Sequence, residues 1–387
     1  MSTLKVAALQ GLSASSDAIT LANDGTCTAN ITNNLSNRRL NINGAFQIMQ
    51  RGTQSSVTTA KYGIDRFKFE VNNCGTWTLS QDTDVPSGKG FSKSYKIQCT
   101  TADASPAAGD YVDTRYIFEG QDLQMLQWGT SDAKALTVSF WIKCKKTGTF
   151  NLNLLANGAA NKSLSKVITI SSADTWEYKS VTFSGDTAQA ITSDNAQRLT
   201  LVFWLDAGST YKGGTSPTSA WETLTSANRA ASTTIALADN TANYVNLCGL
   251  QVESGSVATD FEHRSFAQEL LLCQRYYQKS FEQGTTPAHG IGKGVYQYIK
   301  PYASDYMAGL CHYLPVEMRS TPTVVTYTLS GVTNSTDNRF NHYDGSWGVC
   351  ALSLEGNSTP RNLAFSGQTG SSSTVLIQYN FTASAEL

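Results

Sequence analysis

Charge is scarce in this sequence. Lys and Arg number 29 and Asp and Glu 30, together 15% of 387 residues, for a formal net charge of -1. No run of basic residues could neutralise a row of phosphates or anionic headgroups, which excludes nucleic acid and membrane surfaces as partners. Long apolar runs are missing too, so no stretch reaches the roughly 20 residues that cross a bilayer as a helix. The opening MSTLKVAALQGLSASSD has its apolar run broken by Gln10 and is too short and polar for a secretory signal. A soluble product made in a reducing cytoplasm is expected. The eight cysteines (Cys27, Cys74, Cys99, Cys144, Cys248, Cys273, Cys311, Cys350) form no C-x-x-C pair and no cluster with the four histidines, so free thiols and no metal site are expected. A G-x-S-x-G elbow is also missing.

What is present is a vocabulary of strands and turns. Ser, Thr, Asn, Gln and Gly supply the polarity that charge does not, and the length leaves room for two or three folded units. Residues 1–40 read as an arm holding a hairpin, with Ile19-Thr20-Leu21 and Cys27-Thr28-Ala29-Asn30-Ile31 flanking the turn former Asn23-Asp24-Gly25. Such an arm buries no core alone and needs a neighbouring chain or another protein to cover it.

From 41 to 262, short alternating segments between turn signals predict a β-sandwich. In Leu136-Thr-Val-Ser-Phe-Trp-Ile-Lys, the residues Leu136, Val138, Phe140 and Ile142 share one face, leaving Thr137, Ser139, Trp141 and Lys143 on the other. Leu199-Thr-Leu-Val-Phe-Trp-Leu-Asp repeats the arrangement and sets Trp204 and Asp206 opposite the apolar face. Residues 263–280 contain the one clear helix, SFAQELLLCQRYYQKS. Ser265 and Gln268 form its capping box, and Phe266, Leu270, Cys273 and Tyr277 form one stripe. The helix either packs on the sandwich or meets its own copies around a symmetry axis. Residues 281–387 return to alternation and predict a second β-sandwich. The fold class is therefore mostly β: two sandwiches joined by one helix, with an N-terminal arm.

Four strings are specific beyond pattern: NNLSNRRLNINGAFQIMQRGT (33–53), YGIDRF (62–67), SFWIKCK (139–145) and LQVESGSVATDFEHRSFAQELLLCQRYYQK (250–279). Together they resemble fibre-type proteins of tailed phages, many of them marine, over roughly residues 1–320. The resemblance implies a jelly-roll sandwich, a homotrimer, and a virion protein assembled in the host cytoplasm and attached to other tail or capsid proteins through the N-terminal arm. It also implies recognition of a host surface polysaccharide. The sandwich resembles, in addition, carbohydrate-binding modules that open on Asn-Gly-x-Phe-Glu and hold a structural calcium. Here Gln47 replaces the Glu and the closing strand reads Asn246-Leu-Cys-Gly-Leu-Gln, so two hard anionic ligands are missing. Only Asn43, backbone carbonyls and Glu253 remain for a weak site, and neither metal nor cofactor is expected.

Trp141 and Trp204 are the side chains best suited to a sugar, since an indole offers a flat apolar face to the C–H face of a pyranose while Lys143 and Asp206 bond its hydroxyls. The alternative is that loops or a partner cover both rings. Trp176, opening a strand, reads as a plug at the sandwich edge. Tyr343 and Trp347, with Tyr296, Tyr298, His312, Tyr313 and His342, are a second set of contacts on a distal, loop-rich domain, or ordinary core. Asp110, Asp113, Glu119, Asp122 and Asp206 are the carboxylates a polysaccharide depolymerase would draw on. His263, in Asp260-Phe-Glu-His-Arg, reads as part of a polar hinge, because Asp260 and Glu262 cannot both face it from an extended segment. The function expected is a non-enzymatic phage fibre that presents its sandwiches to a host glycan. The alternatives are a structural capsid fibre, decoration or tail adaptor protein, and a depolymerase.

Overall fold

The computed structural model describes residues 6–10, 18–21, 27–29, 37–292, 294–300, 306–329, 339–343, 345–370 and 373–387. Within the arm, Ala8–Leu9, Ile19–Leu21 and Cys27–Ala29 form a three-stranded antiparallel sheet. The expected hairpin is there, with Ile19 opposite Ala29 and Leu21 opposite Cys27. Asn30 and Ile31, and the turn itself, lie outside the described residues. The packed part of the sandwich begins just before residue 41, since Arg39 is already buried and bridged to Glu253.

Two antiparallel sheets enclose the main core. One has six strands in the order Glu177–Phe183, Leu136–Cys144, Tyr244–Ser254, Ser94–Thr101, Thr76–Asp82, Gln54–Val57. The other has seven, in the order Glu222–Thr223, Lys162–Ile170, Gly148–Ala156, Gln197–Ala207, Tyr111–Glu119, Phe67–Asn72, Lys61–Tyr62. The chain crosses repeatedly from one sheet to the other, in jelly-roll fashion. The alternation read from the sequence decides which residues enter: Leu136, Val138, Phe140 and Ile142 from one sheet meet Leu199, Leu201, Phe203 and Leu205 from the other. The Phe140 and Phe203 rings touch edge to face across the gap, 5.2 Å between centroids.

The helix is shorter than its pattern. It spans Phe266–Gln274, with the Ser265 hydroxyl accepting from the Gln268 N–H, as the capping box requires. Tyr277–Lys279 then leaves the helix and pairs with the strand Val375–Ser384. The buried stripe also differs from the expected one. Glu269 and Cys273 face inward, while Phe266 is exposed. Cys273 packs with Ile42, Ile48 and Tyr276, so the helix seats on its own chain.

The described strands from Tyr277–Lys279 to Val375–Ser384 build the C-terminal β domain around its own core of Leu314, Phe340, Leu363, Phe365, Ile377 and Phe381, among others. Val375–Ser384 organises it. One half of this strand pairs with Tyr296–Lys300 and Arg339–Tyr343, the other with Tyr277–Lys279 and Thr323–Tyr327.

A buried polar joint fastens this domain to the sandwich. Glu386 accepts from Arg66 (2.6 Å) and Arg51 (3.1 Å). The Arg66 guanidinium lies 3.4 Å from the Tyr276 ring centroid, and that of Arg51 lies 3.7 Å from Tyr277. The Gln50 amide donates to Asp65 and to the Tyr277 carbonyl, and Arg275 forks onto Glu119. Arg39, fully buried, pairs with Glu269. Three of the four strings that carry the phage-fibre resemblance (33–53, 62–67 and 250–279) thus converge here.

Candidate functional site

The outer face of the six-stranded sheet carries a groove of about 740 Å³. Its floor follows from strand register. Trp141 is paired with Tyr178, so both rings stand on the same face, 5.3 Å apart between centroids and tilted by 52°. Trp141 is half-buried and Tyr178 is 47% exposed, which leaves aromatic surface open to a ligand. One wall comes from the segment after Asp82, where Lys89 holds its ammonium 5.5 Å from the Trp141 ring centroid. The other comes from Ala258–His263, including the exposed Asp260 carboxylate.

At one end Phe91, Phe261 and His263 form a cluster with centroids 4.8–5.2 Å apart. Burial, then the nearby Arg39 charge, pulls the His263 imidazole below its ordinary pKa. Gly249 lets Phe91 lie on the backbone: its φ is +58°, and a Cβ there would stand 2.4 Å from the Phe91 ring. Beyond Trp141, the Lys143 ammonium is fixed 2.8 Å from Asp84, which also accepts from the Trp176 indole N–H at 2.9 Å. Burial opposes the charge on Asp84, but these two donors hold its carboxyl below the usual range. Trp176, half-buried, is bonded at this edge as a plug would be.

Trp204 does not belong to any such surface, which corrects its expected role. It is fully buried on the far side of the seven-stranded sheet, packed with Leu155, Val202 and Ala230. The excursion between Gly208 and Asn243 covers it, placing Tyr211 5.3 Å and the Arg229 guanidinium 4.9 Å from its ring. Asp206 shares this burial: its carboxylate accepts from Lys212 (3.0 Å) and from the Ala207 and Ala238 N–H groups. Neither residue can reach a glycan.

In the C-terminal domain Tyr343 and Trp347 are register partners, 43% and 52% exposed, with rings 5.1 Å apart. Tyr313 and Tyr296 are exposed as well. His312 is half-buried, bonded to the Tyr379 hydroxyl and ringed by Tyr296, Phe365 and Phe381, and burial pushes its pKa down to about 4. His342 lies against Cys350, and Tyr298 packs on the core.

Four of the five candidate carboxylates, all but Asp122, have partners of their own. Asp113 forks onto Arg115, Glu119 onto Arg275, and Asp110 caps the Ala107 N–H, while Asp122 is exposed on the turn Gly120–Leu126. Asn43 uses its side chain on Ile48 and the Asp65 carbonyl, and Glu253 uses its carboxylate on Gln251 and Thr259. The hinge reading of His263 needs one addition: Glu262 turns away from it to accept the N–H groups of Asn37, Arg38 and Arg39. Lys89, Phe91, Tyr178 and Asp260 were not singled out as binding groups from the sequence. Of these, only Tyr178, two residues after Trp176 in an alternating strand, carried a legible signal.

No family model matches the sequence, and no curated protein matches it. Among solved structures, the chain is similar to the enzymatically active domain of tailspike protein 4 of bacteriophage CBA120, at 12% identity and a TM-score of 0.29, covering 52% of this chain and 21% of that one. It is also similar to a family 11 carbohydrate-binding module from Clostridium thermocellum in complex with a mixed-linked tetrasaccharide, at 12% identity and a TM-score of 0.25, covering 53% of this chain and 99% of that one. A xylan-binding domain from family 22 aligns at 10% identity and a TM-score of 0.28, covering 58% of this chain and 97% of that one.

Proposed function

We propose that this chain is a phage virion fibre protein of the tail-fibre or receptor-binding type, which holds host surface glycan in the groove floored by Trp141 and Tyr178. The observation that carries the glycan reading is that pair of half-open rings, with Lys89 and Asp260 beside them as opposite-charged hydrogen-bonding groups. Aromatic faces stack on a pyranose while the polar groups select its hydroxyls. The sequence resemblance supplies the virion setting, the homotrimer and attachment through the arm. Three weak sites on a trimer give avidity without any single tight one. Presentation rather than catalysis is the mode of action, in keeping with the pairing of Asp113, Glu119 and Asp206 inside the fold.

The test is adsorption of purified protein to susceptible host cells and to a glycan array. Binding that is lost in Trp141→Ala and Tyr178→Ala but kept in Tyr343→Ala supports this groove. Retention in both groove variants overturns it. Light scattering at micromolar concentration should return the trimer mass, and a monomer would contradict the assembly.

A further inference from the structure

A second cleft, of about 380 Å³, opens where the sandwich meets the C-terminal domain. Its charged lining is entirely cationic: Arg51, Lys61 and Lys68, with no carboxylate lining it among the described residues. Lys61 is exposed and makes no ion pair among the described residues. Lys68 lies 2.9 Å from Glu70, but that carboxylate is shared with Arg115 at 3.7 Å. The two acids near Arg51, namely Asp65 and Glu386, have side chains 1% and 5% exposed and do not line the cleft. At Arg51 the compensating negative charge is therefore set back in the joint, Lys68 keeps a shared partner in Glu70, and Lys61 meets solvent unpaired among the described residues. Around these cations stand Tyr62 and Tyr327, with the hydroxyls of Thr382 and Ser384.

We infer that this cleft binds an acidic sugar unit, a uronate or a sulfated pyranose, through its anionic group. The cations recognise the carboxylate or sulfate, and the phenol rings with the hydroxyls take the sugar body. The saccharide part rests on the glycan reading above, whereas the charge preference rests on this cleft alone.

The experiment is calorimetric titration of the full chain with trigalacturonate, with neutral galactotriose and with sodium sulfate. Expected are binding of trigalacturonate that weakens as salt rises, and about tenfold weaker binding in Lys61→Gln/Lys68→Gln, the equivalent of one lost charge-assisted contact. Lys134→Gln, at an exposed lysine outside both the cleft and the groove, should leave this binding unchanged, and the separate cell-adsorption test of the groove keeps failure of this cleft distinct from failure of the groove. Lys61→Gln alone, at an exposed position on the sheet edge, serves if the double variant folds poorly. Equal binding of the two sugars, unchanged affinity in the lysine variants, or sulfate binding as tightly as trigalacturonate would each overturn the assignment.

Discussion

The ion pair between Arg39 and Glu269 should behave as a coupled unit whose halves are worth more together than apart. Their side chains are 0% and 4% exposed, and Glu269 also accepts the Asn43 N–H at 2.6 Å. Glu269→Leu strands a fully buried guanidinium, which costs about 3–5 kcal/mol for a broken buried pair. Arg39→Met strands the carboxylate at a similar cost. Removing both leaves the orphaned Asn43 amide, about 1–3 kcal/mol, and an Arg264 guanidinium that had Glu269 3.7 Å away but is partly exposed. The double variant should thus be more stable than either single one, with a coupling energy of at least about 2 kcal/mol. Urea unfolding of the four proteins, followed by tryptophan fluorescence, measures it. If the single variants each lose under about 1 kcal/mol, or if their losses simply add, the joint is not held by this pair and the reasoning fails.

Trp204→Ala should cost about 3–5 kcal/mol through the cavity it leaves, yet leave glycan adsorption of the folded fraction intact. Thermal melts beside cell adsorption check both halves. His312 has a folded pKa near 4, below its ordinary value of 6.5, so its contribution is present above pH 6.5 and is lost as pH falls through 4. The full shift corresponds to about 3 kcal/mol, reduced by the partial exposure of the ring. A nuclear magnetic resonance titration in which His312 protonates near 6.5 would refute this, and His312→Phe should flatten acid unfolding of the C-terminal domain. Gly44→Ala should be poorly tolerated, because its Cβ would fall 2.0 Å from the Leu250 carbonyl oxygen. A loss of less than about 1 kcal/mol in a denaturant melt would show that the segment can shift instead.

Strand alternation made much of the sandwich legible, because a half-buried strand must segregate its side chains with period two. It failed at Trp204 for a physical reason. Gln197–Ala207 is covered on both faces, and its cover is an excursion from Gly208 to Asn243 whose only regular pieces are very short. No periodicity announces such a segment. The helix was overextended because Tyr276 and Tyr277 continue its apolar spacing, although β pairing with Val375–Ser384 claims Tyr277. Half of the groove was visible in Trp141. The rest depends on Lys89, Phe91 and Asp260, which arrive from irregular segments that only tertiary packing brings to the sheet.

The joint fixes how far apart two surface features of the chain are held. Gln50 and Lys279 reach across it onto backbone carbonyls, as does Arg319 onto Asn195, so the two domains are keyed to each other by donors of fixed length rather than hung on a tether. The groove at Trp141 and the exposed rings of Tyr343 and Trp347 are therefore set at one distance. A flexible linker would sample many spacings and dilute each one, whereas a keyed joint holds a single separation. In that sense the chain is a gauge, holding the surfaces it presents at one fixed separation.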